Sequence, residues 1–217
     1  MFVRDYMTRD PVTVRPESDP LAAVALLKCG GFRRLPVVDA DDRLVGIVDR
    51  DDLDLFLARA GSPGVLKRQH RVDQVMNQDV VTVAPACPLE EAASLMVENK
   101  IGSLPVMEEG QVVGIITETD IFKQFAGMLG GGTGSLRLTV QMPHVPGQLA
   151  ELASRIARVD GNISSIVAYG ADRGGRINIT LRVEGAVPEK VLNAISGQVG
   201  LQVLHVWGAE GAGHPCP

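Results

Sequence analysis

Leu104-Pro105-Val106 and then Val112-Val113-Gly114-Ile115-Ile116-Thr117-Glu118-Thr119-Asp120 form the stretch that decides the fold, because the chain has already written it once. The earlier version is Leu35-Pro36-Val37, followed by Leu44-Val45-Gly46-Ile47-Val48-Asp49-Arg50-Asp51-Asp52. Working outward, Val3-Arg4-Asp5-Tyr6-Met7 recurs as Val72-Asp73-Gln74-Val75-Met76, and Val12-Thr13-Val14-Arg15-Pro16 as Val81-Thr82-Val83-Ala84-Pro85. Self-similarity at one period over so many positions marks a duplicated unit. The period slips by a single residue only near loops, where insertions are tolerated.

Each copy reads as a helix-turn, a strand, a helix, two strands and a helix. In the second copy Leu89, Ala92, Ala93, Leu95 and Met96 recur at helical spacing, which predicts a helix over Leu89 to Asn99. Leu104 to Met107 and Val112 to Ile116 are short β-branched runs around the hairpin-like turn Glu108-Glu109-Gly110. Thr117 to Asp120 then opens an apolar helical run through Ile121, Phe122, Phe125, Met128 and Leu129. Leu21 to Leu27, Leu35 to Val38, Leu44 to Val48 and Asp51 to Ala60 trace the same order in the first copy. One copy supplies too few elements for a core, so the two are expected to pack together.

Gly127 to Ser135 has the composition of a flexible linker. A phosphate-cradling loop is the alternative, but no Lys-Ser/Thr follows it. Beyond it, Leu136 to Val140 alternates as a strand, and Leu149, Leu152, Ala153, Ile156 and Val159 mark one helical face. Ile163 to Tyr169 and Ile177 to Val183 read as strands around the turn Ala171 to Gly175. A helix from Pro188 and a strand from Leu201 to Trp207 complete the order βαββαβ, the ferredoxin-like arrangement. The tail, 209–217, is rich in Gly and Pro and reads as loose.

Composition narrows the function classes. The 217 residues are 45% hydrophobic and 22% charged, ordinary globular material. A net charge of −5 and only eight aromatic residues oppose nucleic-acid binding, which rests on basic patches and stacking platforms. No apolar run approaches the roughly 20 residues of a membrane span, and no signal segment is evident, so a cytoplasmic protein without membrane contact is expected. Cys29, Cys87 and Cys216 form no CxxC, and His70, His144, His205 and His214 have no metal-ligand spacing, so no metal is expected. Asp39, Asp41 and Asp42 lack calcium-loop spacing and read as a solvated turn. With no acid–base pair or nucleophile motif in the sequence, no catalytic residue is assigned and no enzyme is expected.

Two places carry chemistry. Thr117 and Asp120 lie one helical turn apart where a strand gives way to a helix. A carboxylate can accept from both ribose hydroxyls at once, and a threonine with a helix N-terminus suits a phosphate. The same Thr-x-x-Asp pattern is equally a capping box. In the first copy Asp52 matches Asp120, but Asp49 replaces the threonine and would repel a phosphate. Arg33-Arg34 offer guanidinium groups for phosphate, or form a solvated loop edge; the second copy has Gly102-Ser103 there. One copy thus holds the hydroxyl and the other the arginines, and two unequal clefts are expected.

The duplicated Val-Thr-Val, Leu-Pro-Val, Gly-Ile-Val/Ile and Asp120/Asp52 pattern resembles tandem CBS domains, a Bateman module. The resemblance implies an α+β fold in which two βαββα repeats, 1–62 and 70–128, enclose clefts for an adenine nucleotide, whether AMP, ADP, ATP or S-adenosylmethionine. The ligand is regulatory rather than a catalytic cofactor. Contacts are implied at Thr117, Asp120, Asp52, Arg33 and Arg34, with the strand residues Val12, Thr13, Val81 and Thr82 against the adenine. After the linker 129–135, residues 136–208 look like an ACT domain, on Pro143-His144-Val145-Pro146-Gly147-Gln148-Leu149 and Gly161-Asn162-Ile163. That resemblance implies an amino acid bound near His144, Gly147, Gln148, Leu149 and Asn162 at a dimer interface. The order is similar to AcuB-type proteins linked to acetoin utilisation. Together these imply a homodimeric sensor acting on an unidentified target protein. The alternative is an oligomerisation or protein-interaction module with empty clefts.

Overall fold

The computed structural model describes residues 1–59, 70–130, 135–171 and 174–208. The tail 209–217, residues 131–134 of the linker and residues 172–173 of the expected turn lie outside the described residues. The chain divides into two compact units, Met1–Lys123 and Gln124–Pro217.

In the first unit, helix α1 (Pro20–Gly30) starts where the Asp19 carboxylate accepts from the Leu21 N–H at 2.9 Å, with Pro20 in the first turn, where its missing N–H costs nothing. It stops at Gly31, whose φ of 67° a side chain would resist. Strands β2 (Arg34–Val38) and β3 (Leu44–Asp49) pair antiparallel, and helix α2 (Arg50–Arg59) follows. The second copy repeats this as α3 (Leu89–Asn99), β4 (Ser103–Glu108), β5 (Gln111–Thr117) and α4 (Glu118–Met128). Between β4 and β5, Glu109 (φ 50°) and Gly110 (φ 85°) are both left-handed, as a tight two-residue hairpin turn demands.

The two copies exchange their opening segments. Strand β1 (Thr8–Arg9) pairs with β5 of the other copy, Thr8 opposite Ile115 and Arg9 opposite Gly114. Val3 and Arg4 donate their N–H groups to the carbonyls of Cys87 and Pro85 at 2.9 and 3.0 Å. In mirror fashion, Val72 and Asp73 donate to Ser18 and Pro16 at 3.0 and 2.9 Å, and Asn77 exchanges both backbone bonds with Ile47 at 2.9 Å. Val72, fully buried, therefore joins Val14, Leu27, Leu35, Val37 and Leu53 in the core of the first copy. Neither copy closes its core alone.

Three expectations change here. Val12-Thr13 and Val81-Thr82 are not strand residues; each precedes a single parallel bridge, Val14 to Val37 and Val83 to Val106. Pro11, Pro16 and Pro85 flank these runs without an N–H to extend a ladder. Gly127 is helical, since α4 continues to Met128. Within α4 only Ile121 is buried, while Phe122 and Met128 are 67% and 52% exposed, so the apolar run does not face one core.

The second unit is a four-stranded antiparallel sheet in the order β7-β8-β6-β9, with β6 (Leu136–Pro143), β7 (Asn162–Tyr169), β8 (Arg176–Glu184) and β9 (Gln202–Trp207). Helices α5 (Gln148–Ala157) and α6 (Pro188–Ser196) supply Leu152, Ile156, Val191 and Ile195 to a core with Leu138, Val140 and Leu181, all fully buried. Leu149, expected on that apolar face, is instead exposed, and α5 ends before Val159, which still packs against the core from the following turn.

Candidate functional site

Thr117 is the last residue of β5, and α4 begins at Glu118, so Thr117 stands at the helix cap and Asp120 on its first turn. Asp120 Oδ2 accepts from the Thr117 backbone N–H at 3.0 Å and from the Thr117 hydroxyl at 2.6 Å. The Thr117 oxygen in turn accepts from the Asp120 N–H at 3.3 Å. This is the capping box that the spacing allowed. It engages Oδ2, and both residues remain half-buried rather than sealed.

A cavity of about 710 Å³ opens beside this cap, in the size range of small-molecule sites. Residues 8, 10–12 and 31–36 of the first copy and residues 93, 96–97, 100–103, 115 and 117–122 of the second line it. Val12, Arg33, Arg34, Thr117 and Asp120 therefore share one wall system. From the sequence, the arginines and the hydroxyl belonged to different copies and to unequal clefts; folding brings them to the same cavity. Thr13, Asp52, Val81 and Thr82 are not among its lining residues. Asp52 is exposed on α2.

The two arginines differ in setting. Arg34 Nε meets Asp49 Oδ2 at 2.8 Å, both side chains mostly shielded, and its Nη1 donates to the Ser103 hydroxyl at 3.4 Å. Asp49 also accepts from the Asp51 N–H at 2.9 Å through Oδ1, capping α2 where a threonine stands in the other copy. Arg33 is 75% exposed and reaches Glu118 Oε1 only at 3.7 Å. Gly102 sits between these groups: a Cβ there would stand 3.1 Å from Arg34 Nη1 and 3.2 Å from Glu118 Cδ. Its carbonyl accepts the Glu118 N–H at 3.1 Å, as the Arg33 carbonyl accepts the Arg50 N–H at 2.9 Å.

Lys100, Ser103 and Glu118 line the cavity without having been singled out in the sequence. The register between copies held the signal, since Gly102-Ser103 occupies the place of Arg33-Arg34 and Lys100 that of Gly31. Glu118 lies inside the Thr117 to Asp120 motif itself.

In the second unit, the His144 N–H donates to the Gly175 carbonyl at 2.7 Å. Gly147 caps α5 at φ 89°, which explains a glycine there. The Gln148 carbonyl and Oε1 both accept from Gln198 Nε2, at 2.9 and 3.1 Å, with Gln198 almost wholly buried. Asn162 pairs with Glu184 at one end of β8, whereas Pro143 pairs with Arg176 at the other. At the rise of a strand those ends lie roughly 25 Å apart. One chain therefore does not bring Asn162 to His144, Gly147, Gln148 and Leu149. A cavity of about 350 Å³ in this unit, lined by residues 135–136, 183–186, 188 and 208, contains none of the five.

Reactive groups among the described residues are few. Burial pushes the Cys87 thiol above its ordinary value, and the nearby Glu91 and Glu90 carboxylates add to this. No group of three or more His, Cys, Asp or Glu side chains among the described residues is placed to hold a metal ion. None of their helices is long and apolar enough to cross a membrane.

Two interlocked βαββα copies around a shared cleft, followed by a ferredoxin-like sheet, define a class: a paired-repeat module with a small α+β domain behind it. Residues 3–59 and 72–127 match the family model of the CBS domain, and the chain belongs to that family. Residues 134–207 match the TTHA0829-like ACT domain, so the particular arrangement is a tandem CBS pair with a C-terminal ACT domain. A solved structure described as an acetoin utilization protein (AcuB) from Vibrio cholerae is 35% identical, with a TM-score of 0.53 over 60% of this chain and 93% of that one. The CBS domain pair of protein MJ0100, solved in complex with 5-methylthioadenosine and S-adenosyl-L-methionine, is 27% identical, with a TM-score of 0.52 over 58% of this chain and 97% of that one. The uncharacterized protein MJ1225 of Methanocaldococcus jannaschii is 36% identical over 135 residues, 57% of this chain, and the match spans about half, 47%, of that protein.

Proposed function

We propose that this protein is a non-catalytic regulator whose CBS pair binds an adenosine compound in the cavity beside Thr117, and whose occupancy is read by the ACT domain or a target protein. The observation that carries the reading is the convergence of Arg33 and Arg34 from one copy with Thr117 and Asp120 from the other on one cavity of about 710 Å³. In this reading Asp120 takes the ribose hydroxyls, Thr117 and the N-terminus of α4 take a phosphate with Arg33 and Arg34, and Val12 lies against the base. The MJ0100 pair, solved with two adenosine compounds, supports the ligand class. In the same proposal Asp52, with Thr13, Val81 and Thr82, is assigned to a second and different cleft.

The test is titration of the full chain with AMP, ADP, ATP and S-adenosylmethionine, followed by calorimetry and thermal shift. A ligand that binds only the native state raises its melting point. Binding by at least one of them, lost in Asp120→Ala, is the expected result. Heats at baseline for all four would overturn the reading and favour the interaction module instead.

Two further parts of the reading are a cytoplasmic homodimer and an amino acid held at the ACT domain. Gly147 at the head of α5 allows backbone N–H groups to face a carboxylate beside His144, Gln148 and Leu149. Asn162, at the far end of the sheet, joins such a site only from a second copy. Light scattering reads the dimer, and a thermal-shift screen of amino acids reads the ligand; a monomer with no amino-acid response would remove both parts.

A further inference from the structure

Arg34 is shared. It lines the cavity from the first copy, yet its Nε is already committed to Asp49 at 2.8 Å, and Asp49 is absent from the cavity wall. Side-chain exposures of 29% and 23% put the pair in a partly desolvated setting, where a charge contact is less screened than at an open surface. Ser103, from the second copy, holds the Nη1 side of the same guanidinium at 3.4 Å. An oxyanion drawn to this guanidinium must either displace the Asp49 carboxylate or stand as a second negative charge on one cation. A neutral nucleoside in the same cavity meets neither cost.

We propose that Asp49, which does not touch the ligand, is a built-in competitor for Arg34, so that this ion pair tunes how strongly the cavity prefers a phosphorylated nucleoside over an unphosphorylated one. The inference rests on the reading of the cavity as an adenosine site. It makes Asp49 a specificity-determining residue acting through Arg34, from a position where the other copy has Thr117. The same carboxylate keeps α2 capped through its other oxygen, so removing the charge need not remove the cap.

The experiment compares AMP with adenosine on the full chain. Asp49→Asn and Asp49→Ser both retain a cap acceptor for the Asp51 N–H and both lose the carboxylate; circular dichroism and melting temperature report whether each remains folded. The expected result is AMP affinity raised roughly three- to tenfold in either variant, with adenosine affinity within about twofold of the wild type. Adding Arg34→Gln should erase the AMP gain, because the competitor then has nothing to compete for. AMP affinity unchanged, AMP and adenosine rising together, or a gain that survives Arg34→Gln would each overturn the proposal while leaving the cavity reading intact. Wild-type protein that binds neither AMP nor adenosine would overturn this proposal alone if ADP, ATP or S-adenosylmethionine still binds, and the cavity reading with it if none of them does.

Discussion

The sulfur of Met7 stands 2.5 Å from the point where a Cβ on Gly114 would sit, and the Thr8 carbonyl oxygen stands 3.1 Å from it. Met7 belongs to the first copy and Gly114 to the second, and Met76 and Gly46 repeat the relationship in reverse, with the sulfur at 2.7 Å. The glycine in each copy makes room for the methionine of the other. This is why the exchange of opening segments can occur without opening the core.

Gly114→Ala should therefore destabilise the CBS pair by about 1–3 kcal/mol, as overpacking commonly does. Met7→Ala removes most of the clash, so the double variant should lose less than the sum of the singles. Urea unfolding of the three proteins checks this. Strict additivity would mean that Met7 and Gly114 do not constrain one another.

Asp120→Ala removes the acceptor of two hydrogen bonds at the head of α4 and should cost about 1 kcal/mol. Asp120→Asn keeps an acceptor for the Thr117 N–H and should recover most of that stability. If the ribose reading holds, both variants bind adenosine compounds more weakly, and the stability loss and the binding loss separate. Calorimetry at a temperature where all three remain folded reads the difference.

Gly161→Ala should destabilise the ACT domain by about 1–3 kcal/mol. Its methyl would stand 2.6 Å from Ile156 Cγ2, 2.9 Å from Val183 Cγ1 and 3.0 Å from the Ile156 carbonyl oxygen, two of them core side chains with little freedom. Thermal unfolding followed by calorimetry should show the loss. A melting curve superimposable on the wild type would contradict the packing.

The raised Cys87 thiol favours the neutral form in the folded protein. The stability this group contributes is fully present below the ordinary thiol value and is lost as the pH rises through the higher folded value. Between pH 7 and 8 the thiolate that attacks alkylating agents is scarce at Cys87. Iodoacetamide should label Cys87 more slowly than the exposed Cys29, measured on digested peptides by mass spectrometry. Equal rates would mean that the burial of Cys87 does not protect it.

The helices and paired strands of both domains were legible in the sequence because each is a local pattern. Apolar residues at helical spacing gave α3 and α5 to within two residues, and Glu109-Gly110 gave a turn that only left-handed backbone satisfies. The Val12-Thr13 run misled, since β-branched residues favour extended backbone whether or not a partner strand is there, and the neighbouring prolines withhold the donors. Leu149 misled for a related reason: helical period fixes which residues share a face, not how far the core extends beneath it.

By itself, then, the sequence determined the duplication, the change to a βαββαβ order after the glycine-rich stretch, and the placing of Thr117 and Asp120 one helical turn apart at a strand-to-helix junction, all of which depend on neighbours along the chain. Only the tertiary structure decided that the copies trade their opening segments, that Arg33 and Arg34 face the same cavity as Thr117, and that Arg34 is held by Asp49. Those contacts join residues tens of positions apart, and no periodicity carries that information. They arise because Val72 and Val3, both fully buried, sit against the other copy: Val72 in the core with Val14, Leu27 and Leu35, and Val3 hydrogen-bonded to the Cys87 carbonyl.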